Sequence, residues 1–171
     1  MVRVEHVLEN WKAVRQATIT AVEEFPASEM DFRPTPDVMT FSEIAKHILQ
    51  AGEGLTGLLL AGEENLTGPD ARDRIMKAAS AVTAAGPDPA SLAAALRDSV
   101  ERRTAQLAAQ PAEFFAQMMT RMDGQRVTRL EMLQMVKEHE LTHRTQLFMY
   151  MRMKGLVPEP TRRRMPRPAT D

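Results

Sequence analysis

The sequence predicts an all-α protein built as a four-helix bundle. Three observations carry this expectation. Four long segments place apolar residues at three- and four-residue steps, two of these segments open on capping boxes, and the connections are rich in proline and glycine. A chain of 171 residues, 43% of them hydrophobic, can bury a sizeable core. One domain over residues 1–160 is therefore expected, followed by a basic tail from 161 to 171 that reads as disordered. No internal repeat is visible.

The first helix is expected over Val2 to Phe25, where Val4, Val7, Leu8, Trp11, Val14, Ile19 and Val22 share one face, with Trp11 in the core. Pro26, Pro34 and Pro36 then forbid helix up to Met39. Thr40-Phe41-Ser42-Glu43 is a capping box, with Met39 and Ile44 as its staple pair, so a second helix should run to about Leu60 and close near Gly62. A short helix fits Pro69 to Val82. Asp88 is an expected N-cap with Pro89 in the first turn, opening a third long helix to about Ala109 that Pro111 ends. Residues 112–127 give no clear periodicity; Asp123-Gly124 marks a turn, and no strand is visible. Thr128-Arg129-Leu130-Glu131 is a second capping box, starting a helix that continues to Gly155, the expected left-handed residue after its end.

The charge balance, 22 basic against 23 acidic residues, leaves no surplus to neutralise phosphates, which argues against a nucleic-acid binder. The absence of cysteine excludes disulfides, thiolate metal sites and a cysteine nucleophile. No stretch approaches the roughly 18 apolar residues of a membrane span, and the first residues lack a secretory pattern. A cytoplasmic address without membrane partners is the expectation.

Chemistry concentrates in Glu138-His139-Glu140-Leu141-Thr142-His143-Arg144. A four-residue step on a helix sets His139 and His143 about 40° apart, one turn above the other. Two imidazoles so placed can hold one transition-metal ion. Of the remaining histidines, His6 reads as solvated or capping. His47 faces inward beside Ile44, Ala51, Gly54 and Leu58, and the small Ala51 and Gly54 leave room for a close helix or a cavity. The face of His139 and His143 also carries Met132, Met135, Val136 and Tyr150, so all three histidines look into the bundle. Imidazoles converging in an apolar interior need partners, and a bound cation supplies one. The stretch also fits the zinc-protease form His-Glu-x-x-His. No further histidine follows His143, however, and no strand is visible to hold an extended substrate.

Thr40 through Ile48, Thr128 through Glu131, His139 through Leu147, and Met149 through Pro158 resemble the DinB-like (damage-inducible, YfiT-like) family of metalloenzymes, over most of the chain from Trp11 to Pro160. Thr145 departs from it, since many members have glycine after His-Arg. The resemblance implies an antiparallel four-helix bundle whose His47, His139 and His143 bind zinc, nickel or a similar divalent ion. It also implies metal-dependent chemistry on a small molecule, as an S-transferase using a low-molecular-weight thiol cosubstrate or as a hydrolase. Glu140 is a candidate base, or a group behind the ligands. The alternative is a non-catalytic metal-binding or protein-interaction bundle. A second apolar stripe on the last helix, Leu130, Leu133, Leu141, Phe148 and Met151, is either central to the fold or half of a homodimer interface, and relatives of this kind are often homodimers. A DNA-repair role, which the family's historical name suggests, gains little from the charge balance.

Overall fold

The structure, a computed structural model, describes residues 2–82, 86 and 88–165. Helix α1 spans Val4–Glu24, α2 Phe41–Leu60, α3 Ala71–Ala78, α4 Pro89–Ala108 and α5 Ala112–Ala116. Strands β1 (Met118–Thr120) and β2 (Arg126–Thr128) precede the long helix α6 (Arg129–Met153), and α7 (Glu159–Arg162) closes the described chain.

Local chemistry sets the ends of the long helices. The Thr40 hydroxyl accepts from the Glu43 amide at 3.2 Å while the Thr40 amide donates to the Glu43 carboxylate at 2.7 Å, and Thr128 with Glu131 repeats both bonds at the same distances. Asp88 accepts from the Ser91 amide at 2.9 Å, with Pro89 in the first turn of α4. At the far end of α6, Gly155 takes φ +76°, and the Leu156 amide donates back to the Met151 carbonyl at 2.9 Å.

Three expectations change. The helix expected over 69–82 is α3 followed by a 3₁₀ turn at Ser80–Val82. The segment read as free of strands holds an antiparallel hairpin, with Met119 opposite Val127, and its Asp123-Gly124 turn is as expected. Three-residue strands are too short to show a period of two, and Met118 and Met119 are adjacent apolar residues that mask the alternation. The basic segment from 161 begins inside α7, where Glu24 offers Arg162 a carboxylate; residues 166–171, the rest of the expected tail, lie outside the described residues.

α1 and α2 each pack between α4 and α6, so they face each other across the bundle. Two apolar clusters fill it. One gathers the C-terminal part of α1, the N-terminal parts of α2 and α4 and the C-terminal part of α6, around a stacked Phe25–Phe41 pair. The other gathers the opposite ends of the same helices around Trp11, Leu59, Leu107 and Leu133. Consequently α1 and α6 run one way while α2 and α4 run the other. Of the second stripe on α6, Leu133 and Met151 are fully buried, which makes the helix central to the fold, while Leu141 stays 38% exposed.

Between the two clusters every long helix turns polar. Arg15 and Thr18 on α1, Glu53 on α2, Ser99 on α4 and Glu140 on α6 are all buried there. Glu140 is fully engaged: it accepts from Trp11 Nε1 (2.8 Å), Arg15 Nε (2.7 Å) and Nη2 (2.9 Å), and the Thr18 hydroxyl (3.0 Å). Arg15 Nη1 also donates to the Leu96 carbonyl at 3.1 Å, so one guanidinium joins α1, α4 and α6. Glu53 receives Arg102 and Arg103 of α4 at 2.7 and 2.8 Å. Two-pronged guanidinium–carboxylate contacts satisfy both charges and fix helix register.

Removing one member leaves the other charged and buried, at a cost of about 3–5 kcal/mol. Arg15→Ala should lower the unfolding free energy by that amount in urea titrations, whereas the Arg15→Met, Glu140→Met double variant should lose clearly less. Equal losses in the two would show that packing, not charge, sets the cost.

Candidate metal centre

His139 and His143 lie one turn apart on α6, and His47 sits on α2, the helix that packs against that face. The structure brings all three together. His47 Nε2 lies 3.1 Å from His139 Nε2, and one nitrogen from each of the three rings falls within 4.8 Å of the others. Ring centroids are 4.5–4.9 Å apart and mutually tilted, so the rings converge edge-on and do not stack.

Each ring is half-buried. Burial comes first in lowering the His139 pKa, to about 4, with the nearby His143 and His47 adding to it and Glu140 opposing. Burial also lowers the His47 pKa, helped by His143 and Arg72. Both rings are therefore neutral at pH 7 and present lone pairs, the form a metal requires. The His143 ring has a partner outside the cluster: its Nδ1 lies 2.8 Å from Gln146 Oε1, an acceptor that favours the tautomer with the proton on Nδ1. Two unprotonated nitrogens 3.1 Å apart would repel; in the absence of metal one must carry a proton between them, and a cation can take that proton's place. Imidazole nitrogens bound about 2.0–2.1 Å from one tetrahedral ion stand roughly 3.3 Å apart. The donor set and spacing fit a divalent ion.

Glu140, although next to His139 in sequence, is not part of this cluster. Its carboxylate turns to α1, is 2% exposed, and is occupied by Trp11, Arg15 and Thr18. His6 is exposed, 2.6 Å from an Arg3 nitrogen, and stands apart.

A cavity of about 560 Å³ opens beside the histidines. Its walls include His47 and Ala51 of α2, Ile75 of α3, and Met132 and His139 of α6, while Arg121 and Met122 reach it from the hairpin. Both a close helix and a cavity thus use the small residues of α2. Ala51 lines the cavity, and Gly54 lets α3 approach so closely that a Cβ there would lie 2.4 Å from the Ile75 carbonyl oxygen. Sequence reasoning missed Gln146, whose three-residue step from His143 was a readable signal, and missed Arg72 and Arg121, for which no local signal exists.

The model of the DinB superfamily matches residues 10–147. Among solved structures, the chain is similar to the DinB-like protein YjoA from Bacillus subtilis, with TM-score 0.67 and 22% identity over 89% of this chain and 93% of that one. It is also similar to YfiT from Bacillus subtilis, described as a probable metal-dependent hydrolase with an unusual four-helix bundle topology, with TM-score 0.64 and 21% identity over 90% and 89% of the two chains. A mycothiol-dependent maleylpyruvate isomerase aligns with TM-score 0.62 and 16% identity over 85% of this chain, which spans 61% of that enzyme. At these identities the likeness shows a shared fold. No curated protein matches the chain.

Two outcomes follow from the geometry. A ring whose pKa is depressed in the fold adds stability above its unfolded value of about 6.5. That contribution is lost as pH falls from there to about 4, since the unfolded chain takes the proton first. Urea titrations of metal-free protein should show this decline, and His139→Gln should flatten it; an unchanged slope would exclude His139 as its source. Replacing Gln146, which is exposed, with Leu should weaken zinc binding about 10- to 100-fold while leaving the melting temperature of the metal-free protein unchanged. Unaltered zinc affinity would remove Gln146 from the site.

Proposed function

This chain belongs to the DinB superfamily, and on that premise we propose that it is a metal-dependent enzyme whose His47, His139 and His143 hold one divalent ion, zinc or nickel. The observation that carries the reading is the convergence of three half-buried imidazoles from two helices, two of which, His47 and His139, line an apolar cavity. Three neutral protein ligands leave such an ion its charge and an open position, so that when bound it acidifies a water or a small thiol enough for either to serve as a nucleophile near neutral pH.

The chain's own residues do the rest. Burial keeps His47 and His139 unprotonated, and Gln146 partners His143. The cavity receives a small substrate and shields it from bulk water. With no cysteine in the sequence, any thiol comes from a cosubstrate. The structural neighbours, one described as a probable metal-dependent hydrolase and one as a mycothiol-dependent maleylpyruvate isomerase, support hydrolysis or thiol-dependent chemistry as the reaction. We assign Glu140 a positioning part and not that of a base, because its carboxylate already accepts four hydrogen bonds on the side facing α1. We also place the protein in the cytoplasm as a homodimer. Among the described residues no helix is long and apolar enough to cross a membrane, and exposed Leu141, Met149 and Met153 along α6 support a self-contact.

Protein purified without a histidine tag should carry close to one equivalent of zinc or nickel by mass spectrometry, and His143→Ala should lose it. Sedimentation of the same preparation at tens of micromolar should give a dimer, and a monomer would remove the self-contact. Protein that is metal-free and refuses added divalent ions would overturn the enzyme reading in favour of a non-catalytic interaction bundle.

A further inference from the structure

The cavity beside the histidines has a charge pattern that metal binding does not account for. Three charged side chains other than the histidines line it: Arg72, Arg121 and Asp123. Arg121 and Asp123 pair with each other at 2.8 Å and largely cancel. Arg72, an exposed residue, has no ion pair or hydrogen bond among the described residues, as is also true of Arg126 and Arg152, but of these Arg72 alone lines the cavity. One uncompensated guanidinium therefore stands at the wall of an apolar cavity, on the same side as His47.

The opposite feature is equally unspent. Met76 and Met122 are 37% and 57% exposed at this cavity, and Met132 and Met135 continue the same lining. Methionine is flexible and polarizable, and a wall made of four of them adapts to apolar bodies of varied outline. Besides the two histidines, Gln50 is the one uncharged polar side chain among the lining residues, too few polar groups for a sugar-like ligand. A single arginine with a planar fork matches one carboxylate, and the volume of about 560 Å³ suits a molecule of small-metabolite size.

We propose that this cavity binds small organic acids, with the carboxylate on Arg72 and the apolar body against Met76, Met122, Met132 and Met135. The proposal rests on the reading that the cavity is the substrate site of the metal centre, and it names the class of substrate: an amphipathic carboxylate. Arg72 is a binding residue here and not one of the metal ligands, on which it acts only through its charge near His47.

Octanoate and the isosteric neutral octanamide test this with metal-free protein in chelator, followed through the methyl resonances of Met132 and Met135. Octanoate should bind about threefold to tenfold more tightly than octanamide, the range open to a partly exposed charge-assisted contact. Arg72→Gln should abolish that preference and Arg72→Lys should retain part of it. Equal affinities, a preference that survives Arg72→Gln, or no shift with either compound would each overturn the proposal. Zinc uptake measured on the same proteins separates the two readings. If zinc binds to wild type and to Arg72→Gln alike but no carboxylate preference is seen, the subsite alone falls. If zinc fails to bind while the preference stands, the metal reading falls and the subsite stands as an organic-acid site.

Discussion

A buried carboxylate sets the orientation of the helix on which the chemistry depends. A carboxylate buried in the bundle interior needs donors, and Trp11, Arg15 and Thr18 of α1 supply them to Glu140 at 2.7–3.0 Å. Once Glu140 faces α1, the rotation of α6 is fixed. Each residue advances about 100° around a helix, so His139 lies about 100° back from Glu140 and His143 about 60° back on the same flank. That flank is the one α2 covers. The motif His-Glu-x-x-His thus divides its work in this fold: the glutamate anchors the helix and the histidines are delivered to His47 as a consequence.

The same interaction explains why the bundle can hold a polar site without losing its core. Two apolar clusters, one around Phe25 and Phe41 and one around Trp11 and Leu133, close the ends, and the polar layer lies between them. Every long helix contributes to both clusters, so the layer is clamped from either side. The imidazoles rise from two packed helices, which brings the His47 and His139 nitrogens to 3.1 Å and one nitrogen of each of the three rings within 4.8 Å of the others. Exposed or short elements surround the opening instead: α3 on one side, held close by Gly54, and the hairpin with Arg121 and Met122 on the other.

Much of this was legible in the chain before any tertiary contact was known. The starts of α2 and α6 are written in Thr40-Phe41-Ser42-Glu43 and Thr128-Arg129-Leu130-Glu131, and the start of α4 in Asp88-Pro89. The end of α6 is written in Gly155. These signals work at a distance of three or four residues, where hydrogen-bond partners are dictated by covalent geometry. The pairing of His139 with His143, and the inward direction of His47, came from helical period alone.

What the sequence could not contain is which faces meet. The sequence offers Glu140 as a base or as a group behind the ligands and does not show that Arg15, 125 positions earlier, is waiting for it. Nor does it show that α1 faces α2 across the bundle, since both are amphipathic and the connection between them is long enough for either neighbour. The hairpin escaped because strands of three residues carry no period, and Arg72 escaped because its neighbours on α3 say nothing of the cavity it lines. Sequence alone determined the helices and the candidate ligands, since both follow from local chemistry and a fixed rotation per residue. The tertiary structure alone decided the convergence of His47 with His139, the structural part of Glu140 and the shape of the cavity, since each depends on contacts between segments far apart in the chain.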